Sequence, residues 1–157
     1  AYGSLGIGAR GVSVIAISPV IHDGEFYGMI AMIQGLASVR KAFEKDHEGK
    51  WVMLVDKDYI KKRYGDMPVI DNNTSFSKKY ILTNNKWFPK EVVDFAKKSF
   101  KPVDGKHNSV YAAGNEMIID IPALDAAGEV FGRNLFIIDK AKYDAPINAA
   151  ITSAQIS

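Results

Sequence analysis

Residues near the start of the chain combine glycine spacing and a guanidinium that together suit an anion. Residues 6–11 read GIGARG and match the pattern G-x-G-x-x-G, with Arg10 inside it. In dinucleotide enzymes this pattern follows a strand and opens a helix, whose N-terminal amides hold a pyrophosphate. Here residues 12–17 are rich in β-branched side chains and run into Ser18-Pro19, which indicates a strand instead. The nucleotide interpretation is therefore disfavoured.

Arg10 is instead predicted to bind a carboxylate. Arginine is scarce in this lysine-rich chain, and a guanidinium can hold a carboxylate in two parallel hydrogen bonds. A glycine-rich turn beside it would expose further backbone amides to the same anion. The alternative is that Arg10 is an ordinary surface residue at the start of a strand, and the sequence leaves both interpretations open.

Aromatic and small side chains elsewhere are candidates for the wall of a binding pocket. Tyr59, Trp87 and Tyr111 each join an apolar ring to one polar atom, which suits contact with a small ligand. Ser13 is small enough to leave room above a sheet. Packing within the core or a hairpin is the alternative role of the three aromatic residues.

Asp120 has the most unusual setting among the acids, because it lies inside an apolar strand between Ile119 and Ile121. A buried carboxylate must find a cationic or donor partner, or its pKa rises. Two partners are open, the ammonium of an amino-acid ligand and a Lys or Arg of the protein. We favour the second.

Catalytic and metal-binding patterns are missing from the sequence. The three histidines lie far apart without metal-ligand spacing, and the chain has no cysteine for a thiolate site, a disulfide or a nucleophile. Neither a G-x-S-x-G elbow nor a Walker loop is present. We therefore predict a protein that is not an enzyme and has no cofactor, metal or catalytic residue. The alternative is a small α+β hydrolase or isomerase that uses Asp120 with Arg133 or Tyr111.

Composition favours one globular domain. The 157 residues are 47% hydrophobic and 24% charged, and the net charge of +2 comes from scattered basic residues rather than a stripe, so no nucleic-acid partner is predicted. No apolar run is long enough to span a bilayer. The chain begins at Ala1, nearly in a strand, and we expect it to be an excised piece of a longer protein.

Residue patterns predict an α+β fold, with a central antiparallel sheet of five to six strands flanked by helices. The predicted strands are 12–21, 26–34, 51–55, 109–113, 117–124 and 130–138. The predicted helices are 38–47, 88–100 and the tail from 143 onward, and 61–86 is expected to be irregular. The first two strands are so apolar that both of their faces are predicted to be covered.

Two segments of the chain repeat one pattern, residues 17–28 and residues 121–132. In each, a strand with a proline leads through an acidic turn to Gly-Glu, an apolar pair and a second glycine. We predict two hairpins in which the turn glycine has a positive φ and the second glycine allows a close approach to the sheet. A general likeness between antiparallel hairpins is the alternative explanation.

These hairpins resemble the closing hairpin of Cache domains, the PAS-like extracytoplasmic sensors of bacterial chemoreceptors and sensor histidine kinases. Residues 3–6 (GSLG) followed by Arg10-Gly11 are similar to the segment before that hairpin in citrate-sensor-type Cache domains. Residues 35–39 (GLASV), leading into 51–57 (WVMLVDK), are similar to the helix and strand that follow it in chemoreceptor modules. The spacing departs from the citrate-sensor pattern, because Pro19 lies farther from Arg10 than that pattern has it.

The resemblance implies a single PAS-like domain over residues 1–157. The alternative division makes 1–36 the closing hairpin of a preceding module and 37–157 a second module. In the resembling family, the residues matching Ser4, Leu5 and Arg10 contact ligand carboxylates, so the expected ligand is a small organic acid or an amino acid. It would lie between the sheet and residues 61–86.

The resemblance also implies a location and partners. We expect a periplasmic domain of an inner-membrane protein, either a methyl-accepting chemotaxis receptor or a histidine kinase, that is a homodimer in the full-length receptor. Membrane contact would come only through flanking segments, with the terminal helix leading toward the membrane. A purely structural module, with its pocket filled by its own Met and Phe side chains, is the remaining alternative.

Overall fold

The computed structural model describes residues 2–8, 11–47, 49–65, 74–82 and 85–144. The strands are β1 (Tyr2–Gly8), β2 (Gly11–His22), β3 (Glu25–Gly35), β4 (Lys50–Asp56), β5 (Thr74–Ser75), β6 (Tyr80–Leu82), β7 (Ser109–Ala113), β8 (Glu116–Leu124) and β9 (Val130–Asp139). The helices are α1 (Ala37–His47), α2 (Lys57–Tyr64) and α3 (Lys90–Ser99), and a 3-10 turn spans Asn85–Trp87. Among these described residues, no helix is both long and apolar enough to cross a bilayer.

The strands form two antiparallel sheets, which confirms the predicted α+β class. One sheet has three strands in the order β1-β2-β3, and the other has six in the order β5-β6-β4-β9-β8-β7. The two repeated hairpins are β2–β3 and β8–β9, and they lie in different sheets. The prediction of one domain and its two-module alternative both stay predictions.

The glycine-rich start of the chain is a strand rather than a turn over residues 2–8. β1 pairs with β2 from Tyr2 opposite Ile17 to Gly8 opposite Gly11. The glycines up to Gly8 therefore lie in a ladder with β2, while the predicted turn beside Arg10 falls on residues 9 and 10, outside the described residues. Glycine has a low strand propensity, which hides such a strand from sequence patterns.

The six-stranded sheet contains the core, and β4 lies inside it. Residues 51–55 of β4 are all buried, as the predicted strand at this position requires. On one face of the sheet, the rings of Phe43 from α1 and Phe136 from β9 lie 5.0 Å apart between centroids. α3 buries Val92, Val93 and Ala96. Helical residues thus cover the apolar strands that the sequence predicts.

The three-stranded sheet is covered only near its base. Val12 and Leu36 belong to the core, and Leu5, Ile7 and Val14 pack against it. Beyond them, β3 is exposed along almost its whole length. The prediction that both faces of these two strands are covered is wrong, because no other described element packs on the outer part of the hairpin.

Residues 61–86, predicted to be irregular, contain regular elements. Lys57–Tyr64 is a helix, because Asp56 caps its N-terminus by accepting hydrogen bonds from the backbone N–H groups of Asp58 (2.8 Å) and Tyr59 (3.3 Å). β5, β6 and the 3-10 turn follow. Residues 66–73 of this segment lie outside the described residues. Most of the predicted terminal helix, 145–157, also lies outside them, while 141–144 are helical.

Candidate functional site

The predicted ligand residues fall in several places rather than in one cluster. Three of them, Ser4, Leu5 and Tyr59, line one cavity. Tyr111 and Asp120 lie on the six-stranded sheet, on β7 and β8. Ser13 lies on β2 opposite Gly6, and Trp87 ends the 3-10 turn. Arg10 lies outside the described residues, so its predicted role stays a prediction.

The cavity between β1, α2 and the β8–β9 turn is the first candidate site. It has a volume of about 430 Å³, within the usual range of small-molecule pockets. Besides the three predicted residues, its polar lining comes from Arg63, Tyr64 and Asp125. The cavity therefore joins a guanidinium, a carboxylate and two phenols to the apolar side chains of Leu5, Ala126 and Ala127.

Helix α2 explains why two of these side chains face the same space. Tyr59 and Arg63 are four residues apart on α2, so they lie on one face of the helix, one turn apart. The ring of Tyr59 packs against that of Phe131 on β9, with 5.8 Å between centroids. The N-cap at Asp56 fixes where α2 begins, and it thereby positions the side chains of Tyr59 and Arg63 at the cavity.

The β8–β9 turn holds Asp125 firmly in the wall of the cavity. The Tyr59 hydroxyl donates to Asp125 Oδ2 at 2.7 Å, and Asp125 Oδ1 accepts from the backbone N–H groups of Ala127 and Glu129, both at 2.9 Å. The hydrogen bond from Tyr59 is the largest cause of a lowered pKa at Asp125. Burial, followed by that hydrogen bond, raises the pKa of Tyr59 above its ordinary range. At neutral pH the carboxyl is therefore ionised and the phenol protonated.

A buried ion pair on the six-stranded sheet is the second candidate site. Asp120 is 0% exposed and Arg133 1% exposed, and Arg133 Nε donates to Asp120 Oδ1 at 2.7 Å. The two other guanidinium nitrogens donate to backbone carbonyls of the loop before β7, Gly105 at 2.8 Å and His107 at 2.6 Å. Asp120 thus has a protein cation as its partner, the arrangement that the sequence analysis favours, and contact between Asp120 and a ligand stays a prediction.

Two side-chain oxygens near the ion pair have no hydrogen-bond partner among the described residues. They are Asp120 Oδ2 and the hydroxyl of Ser109, and both atoms are buried. The two residues are opposite each other in the β7–β8 ladder, so their side chains share one face of the sheet. Burial raises the pKa of Asp120, while Arg133 partly offsets that effect.

The remaining predicted aromatic residues have structural contacts. The Tyr111 hydroxyl accepts a hydrogen bond from the backbone N–H of Lys101 at 3.1 Å, and Lys101 Nζ lies 5.1 Å from the centre of the Tyr111 ring. Trp87 lies close to Gly35, at the end of β3, and so links the two sheets. The structure does not bring these rings to the cavity at Tyr59. Across the described part of the chain, no group of three or more acids or histidines is arranged to hold a metal ion.

Sequence reasoning missed Arg63 and Asp125. The spacing of Tyr59 and Arg63 would have been a usable signal if α2 had been recognised from its Asp56 cap. Asp125 lies 66 residues from Tyr59 in the chain, so only the fold brings these two groups together.

Comparison with known proteins adds no relative from which a role could be transferred: no family model, no curated protein and no solved structure matches this chain.

Proposed function

We propose that this chain is a ligand-binding sensor module of the PAS-like Cache type from a bacterial chemoreceptor, and that its ligand is an α-amino acid. One observation carries the proposal. Arg63 and Asp125, two groups of opposite charge, flank the cavity that also contains Ser4 and Leu5. The resemblance to citrate-sensor-type Cache domains independently implies those last two residues as ligand contacts. The proposal further includes an extracytoplasmic location and signalling across a membrane.

The charges of the cavity match those of a zwitterion. The Arg63 guanidinium offers two parallel N–H donors to a carboxylate, a geometry that a lysine ammonium cannot supply. Asp125 already accepts three hydrogen bonds, and a carboxylate has about four acceptor positions, so it can accept one more from an ammonium group. A simple organic acid would use only Arg63, which makes the amino acid the better match.

The position of the cavity also suits a sensor. One wall is β1 of the three-stranded sheet, and the other walls are α2 and the β8–β9 turn of the six-stranded sheet. A ligand that contacts both sheets favours the relative arrangement of the sheets in which both can contact it at once. It shifts that equilibrium by the difference between its affinities for the two arrangements.

A thermal-shift screen of single amino acids and small organic acids tests this function. At a ligand concentration of ~100 times the dissociation constant, binding stabilises a protein by about 2.7 kcal/mol, which raises Tm by several degrees at this chain length. Arg63→Gln should abolish the shift. Arg40→Gln is the matched control, because Arg40 pairs with Glu44 on α1 rather than lining the cavity, and it should keep the shift.

Two results would contradict the proposal. One is that no α-amino acid raises Tm, and the other is that Arg63→Gln keeps the full shift. Recovery of the stabilising ligand unchanged after long incubation separates a sensor from the alternative hydrolase or isomerase. The candidate groups of that enzyme, Asp120 and Arg133, are buried and bonded to each other, so a substrate would first have to open the fold around them.

A further inference from the structure

The outer part of the β2–β3 hairpin carries a large exposed apolar surface, here called the hairpin surface. Its side chains are between 37% and 72% exposed. They are Val20, Ile21, Phe26, Tyr27, Met29, Ile30, Met32 and Ile33. Aromatic side chains bury about 150–250 Å² each and aliphatic ones somewhat less, so at these exposed fractions the hairpin surface exposes on the order of 1,000 Å². The largest apolar patch of a typical monomer is about 300–600 Å².

Both faces of β3 contribute to the hairpin surface. Paired residues of an antiparallel ladder share a face, so the register with β2 places Phe26, Met29 and Ile33 on one face and Ile30 and Met32 on the other. A single helix or loop lying on one face would leave the other exposed. An added strand, whose own side chains extend to both faces, covers part of each.

From Gly28 to Gly35, the edge of β3 lacks the features that keep edge strands apart; the one register shift of the β2–β3 ladder lies nearer the turn, where Tyr27 has no partner on β2. Natural edges are short, or carry a lysine, a proline or a bulge. β3 is 11 residues long, whereas β5 and β7, the edges of the other sheet, have 2 and 5 residues. From Phe26 to Gly35 it contains neither a charge nor a proline. Its backbone N–H and C=O groups on that side have no strand partner among the described residues.

The repeated hairpin has a strand paired at the corresponding edge. In β8–β9, the outer side of β9 pairs with β4, and a Cβ at Gly132 would overlap the carbonyl oxygen of Leu54. Gly28 is the matching residue of β3, and nothing lies within 4 Å of its Cβ position. The same pattern thus has a strand beside it in one hairpin and an open edge in the other.

We propose that β3 pairs antiparallel with β3 of a second copy of this chain, so that the two three-stranded sheets join into one sheet of six strands across a two-fold axis. A two-fold contact uses the same surface of both copies, so that surface must be complementary to itself. β3 meets this requirement, because its only charge, Glu25, lies at one end and faces the neutral Gly35 end of the other copy. Because an added strand covers only part of each face, the contact buries a fraction of the hairpin surface, which corresponds to a small, reversible interface of about 600 Å² or less per partner.

Sedimentation velocity of the chain over a range of concentrations tests the proposal directly. The expected result is a reversible monomer–dimer equilibrium. Ile30→Lys places like charges close together across the axis, and it should raise the dimer dissociation constant at least tenfold. Val110→Lys is the matched control, because Val110 is equally exposed, 60% against 61%, but lies on β7 of the other sheet. It should leave the dimer unchanged.

Cysteine cross-linking keeps the test decisive if Ile30→Lys fails to fold. The chain has no cysteine, so Met29→Cys, Ile30→Cys and Ala31→Cys each introduce a single thiol. We expect at least one of them to give a disulfide-linked dimer on mild oxidation, and Val110→Cys to give none. A chain that stays monomeric at every concentration would overturn the proposal. A dimer that Ile30→Lys leaves intact and that none of the three β3 thiols cross-links would overturn it as well. The proposal is independent of the ligand cavity, so its failure leaves the proposed function untouched.

Discussion

The hairpins β2–β3 and β8–β9 share one sequence pattern but have opposite surroundings. The turn of each hairpin contains a glycine with a positive φ, Gly24 at 81° and Gly128 at 75°. β9 is largely buried between β8 and β4, while β3 is an exposed edge. The difference teaches that the pattern determines the hairpin and the conformation of its turn glycine, whereas neighbouring elements determine its burial.

Matching residues of the two hairpins show how side chains follow those surroundings. Asp120 and Arg133 form the buried ion pair on β8 and β9. When the sequence alignment of the two segments is extended by one residue at each end, Ala16 aligns with Asp120 and Met29 with Arg133. A buried charge needs a partner, so the covered hairpin has a complementary pair. The exposed hairpin has two apolar residues instead, which suits a surface that pairs with another apolar surface.

The largest effect in this comparison is expected at the second glycine of each hairpin. Gly132→Ala should destabilise the protein by about 4 kcal/mol or more, because its Cβ overlaps the β4 backbone, which has no flexible end to move. Gly28→Ala should cost only about 1–3 kcal/mol, through its positive φ of 147° alone. Urea unfolding of both variants measures the difference. Equal losses would show that the two hairpins do not differ as described.

Breaking the buried ion pair is expected to cost nearly as much. Asp120→Ala leaves Arg133 charged and buried, at a cost of about 3–5 kcal/mol. Replacing both residues, with Asp120→Leu and Arg133→Met, should recover most of that loss, since no unpaired charge then remains. At the matching position of the exposed hairpin, Ala16→Asp should change stability by less than ~0.5 kcal/mol. Chemical denaturation of the three variants checks these values, and a double variant less stable than Asp120→Ala would contradict the explanation.

Truncation of apolar side chains compares the two strands directly. Leu135 of β9 is fully buried, and Leu135→Ala should cost about 2–5 kcal/mol. Met32 of β3 is 72% exposed, so Met32→Ala should cost less than ~0.5 kcal/mol in the monomer. Thermal unfolding at high dilution measures both costs without a contribution from association. A large loss for Met32→Ala under those conditions would mean that β3 is covered within one chain.

The smallest effect concerns the turn of the covered hairpin and depends on pH. Tyr59→Phe removes the hydrogen bond to the Asp125 carboxylate and should cost about 1–2 kcal/mol near neutral pH. Because the folded pKa of Asp125 is lowered, this stabilisation is present above the ordinary pKa of the carboxyl. It is lost as the pH falls through the lowered value. Stability curves of both proteins should therefore converge in acid, and a difference that stays constant with pH would rule out an ionic hydrogen bond.

The sequence predicts those parts of this fold that depend on local patterns. The strands over β2, β3, β4, β7, β8 and β9 and the positive φ of both turn glycines are confirmed. Sequence patterns do not reveal β1, because its glycines lack strand propensity and only its pairing with β2 orders it. The exposure of β3 could not be predicted, since an apolar run looks the same whether or not another element covers it.

The candidate site was only partly predictable for the same reason. The ring and polar atom of Tyr59 predict a ligand contact, and the family resemblance implies contacts at Ser4 and Leu5. Arg63 enters the cavity because Asp56 starts a helix there, and Asp125 because the β8–β9 turn reaches α2. Contacts between segments so distant in the chain follow from the three-dimensional packing and leave no local signature.

Amide hydrogen exchange, measured over a range of protein concentrations, tests the central claim. That claim is that β9 has strand partners on both sides within one chain, whereas the outer edge of β3 pairs with a second copy. Amides of β9 should be protected at every concentration, because they are hydrogen-bonded to β4 and β8 within one molecule. Amides on the outer edge of β3 should exchange fast at high dilution and slow down as the concentration rises. Exchange at β3 that does not change with concentration would contradict the account.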